Sequence, residues 1–570
     1  MSTSQILINQ VGYNISEIKK AVLQTSNPIK TPVKFHLIYN SGQEIQEFQS
    51  NQSSPVEGWS GRYFSVLDFS SFNHKGRFRI KAQFGDETVV SDMFYIEDNL
   101  LFNSLAAPVL GFFYGMRSYI DDRFVSFIDK PEKIKDVSGG WDDASADTGK
   151  YLSHLSYANY FNPQHSPMVV WSILKSLSVN CLGFLGLEKE MQEEAIWGAD
   201  FLVRMFDRDG FFYTNVFDRW GMDDKRVICA YKYRSGEKNE RYQAAYREGA
   251  GMSIAALARM ARYNYSGTYC AAVYLDTAET AFAHLEENNL KYLENGRENI
   301  IDYYCALIAS TELFKTTQNQ KYSDAAQKYA QKLLSLQTPQ GWFRSEENSE
   351  RPFFHGVDEG LVIIALCEFI ECFGTEEQYC EAVAKSAEFY IDITNKDPNP
   401  FSYVKQYRSA FKDDKLLPPE TAFFMPHDNE TGYWWQGENA RIASLSSALV
   451  LAYKLLPTRL EKSVEDIRQI SISQIDWILG KNPFGICMVC GSGYHDYPDL
   501  QAAAGKFTRT NVVGGICNGI TSREGQESDI QWMEDDHADY SVGINWRWAE
   551  QWLPHNTWFL LSISAHDSIL

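Results

Sequence analysis

Three aspartates, Asp142, Asp143 and Asp147, lie in the segment GGWDDASADTGKY that spans residues 139–151. Asp143 and Asp147 are four residues apart, so a helix that begins within the segment would place both carboxylates on one face. Such a pair repels, and it is tolerated where it holds a water molecule, a cation or a polar ligand. A hydrolytic reaction needs one carboxylate that takes a proton from water and one that orients the water. The ordinary alternative is an acidic helix start, which the helix macrodipole favours.

The scaffold for these aspartates is predicted to be helical. Polar loops separate segments in which apolar residues recur at helical spacing. The segments are 100–118, 188–206, 245–264, 268–287, 298–316, 321–337, 358–373, 376–393, 438–455, 460–479 and 557–568, with a twelfth helix expected after Ser166. Periodicity alone therefore predicts an all-α domain, in which the loops at one end would form the site.

The first part of the chain has the pattern of β-strands. Apolar and polar residues alternate over 33–39 and 77–82, with turn residues between such runs. This predicts a small β-sandwich. The pattern changes at Asp98-Asn99, a polar pair that can cap a helix starting near Leu100. We therefore expect two domains, 1–98 and 99–570.

The composition narrows the classes of partner. The formal net charge of −21 argues against nucleic acid and against an anionic membrane surface. It suits a cationic substrate, although acidic surfaces also serve solubility. The sequence as written shows no basic-then-apolar leader segment and no segment long enough to span a membrane, so we expect a cytoplasmic protein.

The ten cysteines indicate no metal or cofactor. Most lie in apolar, helix-like stretches and are expected to be buried and reduced. Cys487 and Cys490 have the spacing of a metal or redox pair, but a second pair is missing. A zinc site that adds His495 to these two cysteines remains an alternative, and loss of activity on chelation would favour it.

Several segments resemble glycoside hydrolase family 9. The segment 139–151 resembles the family's Gly-Gly-Trp-Tyr-Asp-Ala-Gly-Asp-Tyr-x-Lys-Tyr signature, with Asp143 and Asp147 on its two aspartates, Asp142 in place of an aromatic residue and one extra residue between the pair. Residues 6–13 look like the start of the family's immunoglobulin-like domain, 247–252 lead into a helix as in relatives, and 481–485 resemble an Asn-Pro-x-Gly loop. The resemblance implies an (α/α)6 barrel preceded by an immunoglobulin-like β-sandwich.

The resemblance also implies catalytic roles. Glu550 stands six residues before Asn556, which is the family's spacing between its acid and an Asn, although the stretch from Asp539-Tyr540 to Glu550 is longer than usual. Glu550 would be the acid, and Asp143, supported by Asp147, would be the base for water; the two aspartates can also exchange roles. In an inverting enzyme the acid and base stand roughly 6.5–9.5 Å apart. Neighbouring tryptophans would keep Glu550 protonated near neutrality.

The predicted substrate-binding residues combine aromatic, charged and histidine side chains near loop-to-helix junctions. They are Trp141, Asp142, His355, Asp358, Glu359, His427, Trp434, Trp435, Glu438, Arg441, His495, Trp552 and Asn556. The tryptophans offer stacking surfaces for sugars, but buried aromatic pairs are as common. Asp142 is expected to pair with the 2-ammonium group of glucosamine, and a helix-capping Asp is the alternative.

Within the family the match is closest to bacterial exo-β-D-glucosaminidases that cleave chitosan oligosaccharides. The expected function is release of glucosamine from the non-reducing end with inversion, without a cofactor, by a monomer or homodimer. A β-1,4-glucanase with the same carboxylates is the nearest alternative. A non-catalytic sugar-binding protein is disfavoured, because a binder has no need to keep Asp143, Asp147 and Glu550 together.

Overall fold

The N-terminal part of the chain is a sandwich of two sheets. The structure is a computed structural model, and it describes residues 4–119, 123–144, 147–154, 159–232, 235–432, 436–498, 511–533 and 545–567. Nine strands form the sandwich: β1 (Gln5–Leu7), β2 (Gly12–Asn14), β3 (Lys20–Thr25), β4 (Lys34–Ile38), β5 (Glu44–Gln49), β6 (Tyr63–Asp68), β7 (Gly76–Phe84), β8 (Glu87–Val90) and β9 (Phe94–Glu97). One sheet has the order β1-β3-β6, and the other has the order β2-β9-β7-β4-β5 with β8 beside β7. The inward side chains form a core of their own.

Helices dominate the rest of the chain. They are α1 (Leu100–Met116), α2 (Ser166–Val179), α3 (Glu188–Arg204), α4 (Ala250–Arg262), α5 (Ala271–Tyr292), α6 (Ile300–Thr317), α7 (Gln320–Leu336), α8 (Leu361–Phe373), α9 (Glu377–Asn395), α10 (Asn439–Leu455), α11 (Val464–Ile478), the one-turn α12 (Trp546–Ala549) and α13 (Leu553–Asp567), with 3-10 turns at Tyr246–Glu248 and Glu461–Ser463. Each of the twelve predicted helices has a counterpart. The last one starts four residues earlier than predicted, because Pro554 is tolerated in a first helical turn.

The long helices form two concentric rings. The inner ring closes in the order α2-α4-α6-α8-α10-α13, and α1, α3, α5, α7, α9 and α11 pack outside it. Because inner and outer helices alternate along the chain, all inner helices run in the same direction. This is the predicted (α/α)6 barrel, which follows an immunoglobulin-like β-sandwich in the chain. The predicted fold class is confirmed.

Hydrogen bonds tie the N-terminal ends of the inner helices together. The Gln164 amide before α2 donates to Asp358 before α8 (2.8 Å), and the Gln164 side chain donates to the carbonyl of Arg247 before α4 (2.8 Å). Arg441 in α10 reaches Glu359 before α8 (3.2 Å). The positive ends of six helix dipoles therefore lie at one end of the barrel, where they favour negative charge.

Short strands occupy the long loops at this end. Six of them, β10 (Phe124–Phe127), β11 (Ile134–Asp136), β12 (Lys150–Tyr151), β13 (Asn215–Phe217), β14 (Val227–Tyr231) and β15 (Lys238–Asn239), form one sheet. Three two-stranded ribbons pair β16 (Gln406–Arg408) with β19 (Glu420–Ala422), β17 (Phe411–Lys412) with β18 (Lys415–Leu416), and β20 (Thr521–Arg523) with β21 (Gln526–Gln531). The end of the aspartate segment forms β12, so it belongs to the six-stranded sheet of β10–β15 and not to the sandwich.

The sandwich is joined to the barrel by buried polar contacts. Asn9 donates to Asp476 of α11 (2.8 Å), and the Gln10 side chain donates to the carbonyl of Gly485 (2.7 Å). Asn14 of β2 accepts a hydrogen bond from the Leu101 amide (3.1 Å), so the sandwich supplies the cap of α1 that Asn99 was expected to give. Across the ranges that the structure describes, no helix is long and apolar enough to cross a membrane.

Candidate active site

The three aspartates lie outside any helix, so neither a helical face shared by Asp143 and Asp147 nor an acidic helix start is present. Residues 139–144 and 147–149 lie outside any helix, β12 follows at Lys150, and α2 begins only at Ser166. Gly139 and Gly140 have φ angles of 88° and 70°. This left-handed region suits glycine and opposes helix formation in the residues before Asp143.

A tight backbone turn brings Asp143 and Asp147 together instead. The Ala144 amide donates to the Asp147 carbonyl (3.2 Å), the Asp147 amide donates back to the Ala144 carbonyl (3.3 Å), and the Asp143 amide donates to the Gly149 carbonyl (3.0 Å). As a result, a carboxylate oxygen of each aspartate and a ring nitrogen of His154 all lie within 4.8 Å of one another. The two carboxylates are nearly inaccessible to solvent.

Asp143 lies at the start of α13. The Trp552 indole donates to its Oδ2 (3.0 Å), and its backbone carbonyl accepts from the Leu553 amide (3.2 Å). Two imidazoles approach the same carboxylate: His165 Nδ1 is 2.5 Å from Oδ1, and His154 Nε2 is 3.7 Å from Oδ2. The His165 approach is close but lacks the alignment of a hydrogen bond. Trp552 is therefore a donor to Asp143.

Asp147 is held by its own neighbours in the chain. Its Oδ1 accepts from the Gly149 amide (2.8 Å), and its Oδ2 accepts from the Tyr151 hydroxyl (2.7 Å). Tyr151 packs against Phe217 of the six-stranded sheet. Beside the pair, the Thr148 hydroxyl donates to Asp218 (2.9 Å). The sheet thus fixes the orientation of Asp147.

Burial and mutual repulsion make these carboxylates weak acids. Burial raises the pKa of Asp143 well above its ordinary value, and the charge of Asp142 raises it further, whereas the Trp552 hydrogen bond lowers it. Burial also raises the pKa of Asp147, with further contributions from the charges of Asp143 and Asp218. The two aspartates titrate as a pair, and a shared proton or a bound positive group relieves the repulsion.

Glu550 completes a set of three carboxyl groups. It follows α12, and its backbone carbonyl accepts from the Asn518 amide (2.9 Å). Burial, followed by the charges of Asp147 and Asp143, raises the pKa of Glu550 well above its ordinary value. The carboxyl therefore keeps its proton at a pH at which an exposed glutamate is ionised, as a general acid requires.

Sequence reasoning missed three buried histidines at this site. His154 and His165 flank Asp143, and His555 lies beside Asn518 (Nε2 to Oδ1, 2.9 Å) and packs on Trp552. Burial lowers the pKa of His154 well below its ordinary value and lowers the pKa of His165 and of His555 to about 3. All three are neutral imidazoles near pH 7. Only proximity to the aspartate segment could have indicated the first two.

Four predicted substrate residues are buried against protein groups near the site. Trp141 donates to Glu194 (3.1 Å), and Asn556 holds the 514–516 loop through the Ile516 amide (2.9 Å). Asp142 is 1% exposed, with Arg226 Nη1 3.8 Å from its Oδ1. Trp552 is 2% exposed. Stacking of a sugar on Trp141 or Trp552 is therefore not available in this structure.

A second predicted group forms a buried ion network and is corrected to a structural role. Arg441 lies between Glu438 (2.7 Å) and Glu359 (3.2 Å), and all three are 2% exposed or less. Tyr390 donates to Glu359 (3.0 Å), and Tyr403 contacts Glu438. The sequence shows charges at helix starts, whereas the fold pairs them with each other across α8 and α10.

Asp358 and His355 also have structural roles, because both side chains are hydrogen-bonded within the barrel. Asp358 accepts from the Gln164 amide (2.8 Å) and from the Trp558 indole (2.8 Å), while His355 Nδ1 accepts from the amides of Val357 (3.0 Å) and Asp358 (2.9 Å). These bonds satisfy the backbone ahead of α8. Neither side chain is accessible to a sugar.

The remaining candidates divide between the ribbon β20–β21, the domain junction and undescribed residues. His427 Nε2 is 2.9 Å from the Ser522 hydroxyl and is partly exposed. His495 Nε2 is 2.9 Å from Asp92 of the sandwich, so it lies at the junction of the domains and not at the aspartates. Trp434 and Trp435 lie outside the described residues.

The residues that can hold a metal include the aspartate pair and not the set of Cys487, Cys490 and His495 that the sequence offered as a zinc site. In the described parts of the chain, Asp143, Asp147 and His154 form the one cluster of at least three such side chains, and Cys487, Cys490 and His495 do not form one. All ten cysteines are free. Chemically, the site combines two adjacent buried acidic side chains, which can hold and activate water, with a third carboxyl whose raised pKa suits protonation of a leaving group.

Fold and site together define a glycoside hydrolase with an (α/α)6 barrel. Residues 110–541 match Glycosyl hydrolase family 9, and residues 1–86 match the cellulase N-terminal ig-like domain. The chain belongs to glycosyl hydrolase family 9, as the sequence motifs predicted.

Solved structures with the same fold cover 82–100% of the chain. A GH9 protein of Bacteroides ovatus is 18% identical, with a TM-score of 0.66 over 99% of each chain. A metagenome-derived family 9 endoglucanase is also 18% identical, with a TM-score of 0.67 over 100% of this chain and 99% of its own. The cellulase Cel9M of C. cellulolyticum is 15% identical, with a TM-score of 0.53 over 82% of this chain and 99% of its own. A comparison with curated proteins gives no significant match.

Proposed function

We propose that the protein is an inverting exo-β-D-glucosaminidase that releases glucosamine from the non-reducing end of β-1,4-linked chitosan oligosaccharides. The observation that supports the catalytic part is the pairing of Asp143 with Asp147, whose charges, after burial, raise the pKa of Glu550. Hydrolysis with inversion requires a base for water on one side of the sugar and an acid on the other.

The proposed reaction uses each carboxyl once. Asp143, oriented by Trp552 and supported by Asp147, takes a proton from water as the water oxygen attacks the anomeric carbon. The bond from that carbon to the glycosidic oxygen breaks, and Glu550 gives its proton to the departing oxygen. The products are a free sugar of inverted configuration and a shortened oligosaccharide, and proton exchange with solvent restores Asp143 and Glu550.

The preference for an amino sugar rests on the charge of the site. Asp142, Asp143, Asp147 and Asp218 concentrate negative charge at the N-terminal ends of the inner helices, and Arg226 Nη1 lies 3.8 Å from Asp142. A substrate ammonium group placed there gains from this field. The resemblance of residues 139–151 to exo-β-D-glucosaminidases supports the same assignment.

A β-1,4-glucanase is the second candidate. It is favoured by solved structures of the same fold whose names include endoglucanase. The same three carboxyl groups would serve either substrate, so the choice depends on recognition of the sugar at C2. A cytoplasmic location, and a monomer or homodimer acting on small oligosaccharides, belong to the proposal; ten free cysteines agree with a reducing compartment.

The test compares two matched substrate ladders, glucosamine oligomers and cello-oligomers, by product analysis with anomer-resolved NMR of the first product. The proposal expects glucosamine as the first product, in inverted configuration. Release of cellobiose or mixed cello-oligomers would instead support the glucanase alternative. A product of retained configuration from either ladder would contradict the roles of the carboxyl groups.

Asp142 gives a sharper test of sugar recognition. Asp142→Asn is expected to reduce kcat/KM on glucosamine oligomers far more than on glucose oligomers, if its charge acts on the substrate ammonium group. Equal losses on both ladders would give Asp142 a structural role, in which it contacts Arg226.

A further inference from the structure

Three ligating atoms meet at the catalytic aspartates. A carboxylate oxygen of Asp143, one of Asp147 and a ring nitrogen of His154 lie within 4.8 Å of one another, and all three residues are buried. His154 Nε2 is 3.7 Å from Asp143 Oδ2. A tetrahedral zinc ion with bonds of about 2.0–2.1 Å separates its ligands by about 3.4 Å. The site therefore comes close to a coordination shell with little movement.

Each of these side chains is oriented by a second protein group. Tyr151 donates to Asp147 (2.7 Å), and Trp552 donates to Asp143 (3.0 Å). On the far side of the imidazole, His154 Nδ1 is 3.2 Å from the Tyr231 hydroxyl, which directs Nε2 toward the aspartates. Such outer contacts fix the tautomer and orientation of metal-binding histidines.

A buried nitrogen without a hydrogen-bond partner beside the aspartates is a second indication of a ligand. His165 is 1% exposed, and its Nε2 lacks a hydrogen-bond partner in the described structure. Its other ring nitrogen, Nδ1, lies 2.5 Å from Asp143 Oδ1. Buried polar atoms in native proteins are normally bonded to protein, water or an ion.

We propose that Asp143, Asp147 and His154 bind a divalent transition-metal ion of the Zn²⁺ type, and that the bound ion blocks hydrolysis. An imidazole ligand favours Zn²⁺ and related ions over Mg²⁺ and Ca²⁺, which prefer oxygen ligands alone. The positive charge would offset the repulsion between the two carboxylates. Three protein ligands leave a fourth position open to water.

Inhibition follows because metal and substrate water would use the same carboxylate oxygens. This consequence rests on the proposed function, whereas metal binding itself does not. An ion ligated by Asp143 withdraws the lone pair that takes the proton from water, so turnover would fall as the site fills.

The test measures binding and turnover separately. Co²⁺ is titrated into the full chain while visible absorption is recorded, and Zn²⁺ is then added to displace it. The variants are His154→Ala and Asp147→Asn, with His74→Ala as the control, because His74 is an exposed histidine of the sandwich. Circular dichroism checks that each variant is folded. Hydrolysis is assayed with Zn²⁺ and again after EDTA.

The expected result is one Co²⁺ per chain with visible bands of oxygen and nitrogen ligation, displaced by Zn²⁺. Binding should weaken at least 100-fold in both site variants and stay unchanged in His74→Ala. Zn²⁺ should reduce wild-type turnover at least tenfold, and EDTA should restore it. Binding that is absent from the wild type, or equal in all four proteins, would overturn the site; activation by Zn²⁺ would overturn the inhibition. Metal binding by a chain that hydrolyses neither ladder would refute the proposed function and retain the metal site.

Discussion

The indole of Trp552 offers the most specific perturbation of the proposed base. It donates to Asp143 Oδ2 at 3.0 Å inside a buried site. Trp552→Phe keeps a ring at the position and removes this donor. The ionised form of Asp143 loses a hydrogen bond, and its protonated form is affected less.

The size of the effect follows from the type of bond. Hydrogen bonds to charged groups contribute about 1.5–3 kcal/mol. Since one pKa unit corresponds to about 1.4 kcal/mol, the pKa of Asp143 should rise by about 1–2 units. A base must be deprotonated to act, so the acid limb of the pH profile of kcat/KM moves to higher pH by this amount. At a fixed pH on that limb, kcat/KM falls about 10–100-fold.

The assay is the pH dependence of kcat/KM for Trp552→Phe beside Trp171→Phe. Trp171 is also buried, and it donates to Glu312 (3.1 Å) in a charged cluster within the barrel. Glu312 lies about 18 Å along α6 from its N-terminal end, at about 1.5 Å per residue. The control should lower stability without moving the acid limb. An unshifted limb in Trp552→Phe, or an equal shift in both variants, would refute the assignment of Asp143 as the base.

Three further perturbations separate catalytic from structural roles. Because the charge of Asp218 raises the pKa of Asp147, Asp218→Asn should move the acid limb to lower pH, and a shift to higher pH would contradict this electrostatic account. The pKa of Asp147 is higher in the folded than in the unfolded state, so its ionised form lowers the stability of the fold above the unfolded pKa. Asp147→Asn should therefore raise Tm at pH 7, raise it by a smaller amount at pH 4, and remove activity. Arg441→Met removes the cation between the buried Glu359 and Glu438, and the free energy of unfolding in urea should fall by about 3–5 kcal/mol. An increase in KM with unchanged stability would instead indicate that Arg441 binds substrate.

The sequence was sufficient for the architecture. Strand alternation in residues 33–39 and 77–82 and helical spacing from residue 100 onward are local patterns, and local patterns survive folding when each element buries one face. The closed ring α2-α4-α6-α8-α10-α13 is not local, and it came from the family resemblance. Periodicity could not show which helices lie inside.

The pairing of Asp143 and Asp147 was predicted from their spacing, but their backbone is not helical. They would share a helical face if a helix began within the segment, but Gly139 and Gly140 have left-handed φ angles, and Ala144 and Asp147 exchange reciprocal backbone hydrogen bonds instead. A spacing of four residues brings side chains together in either geometry. The pair could therefore be predicted from the sequence, and its local conformation could not.

The surroundings of the pair required the fold. His165, Asp218 and Trp552 reach it from three separate segments, and no spacing in the sequence relates them. Conversely, Glu359 and Arg441 have the residue types of a sugar site, but they are 82 residues apart and satisfy each other. Residue type indicates which groups can bind a ligand, whereas tertiary contacts determine which remain available.

The most direct test of the proposed acid is the dependence of Glu550→Gln turnover on the leaving group. The variant is compared with the wild type on the disaccharide of the ladder that is cleaved and on the matching 2,4-dinitrophenyl glycoside, whose leaving group needs no proton. Loss of a general acid predicts a fall of about 10²–10⁴-fold on the disaccharide, with most activity kept on the dinitrophenyl glycoside; Asp143→Asn should lose both. Equal losses on the two substrates, or wild-type turnover on the disaccharide, would contradict the role of Glu550.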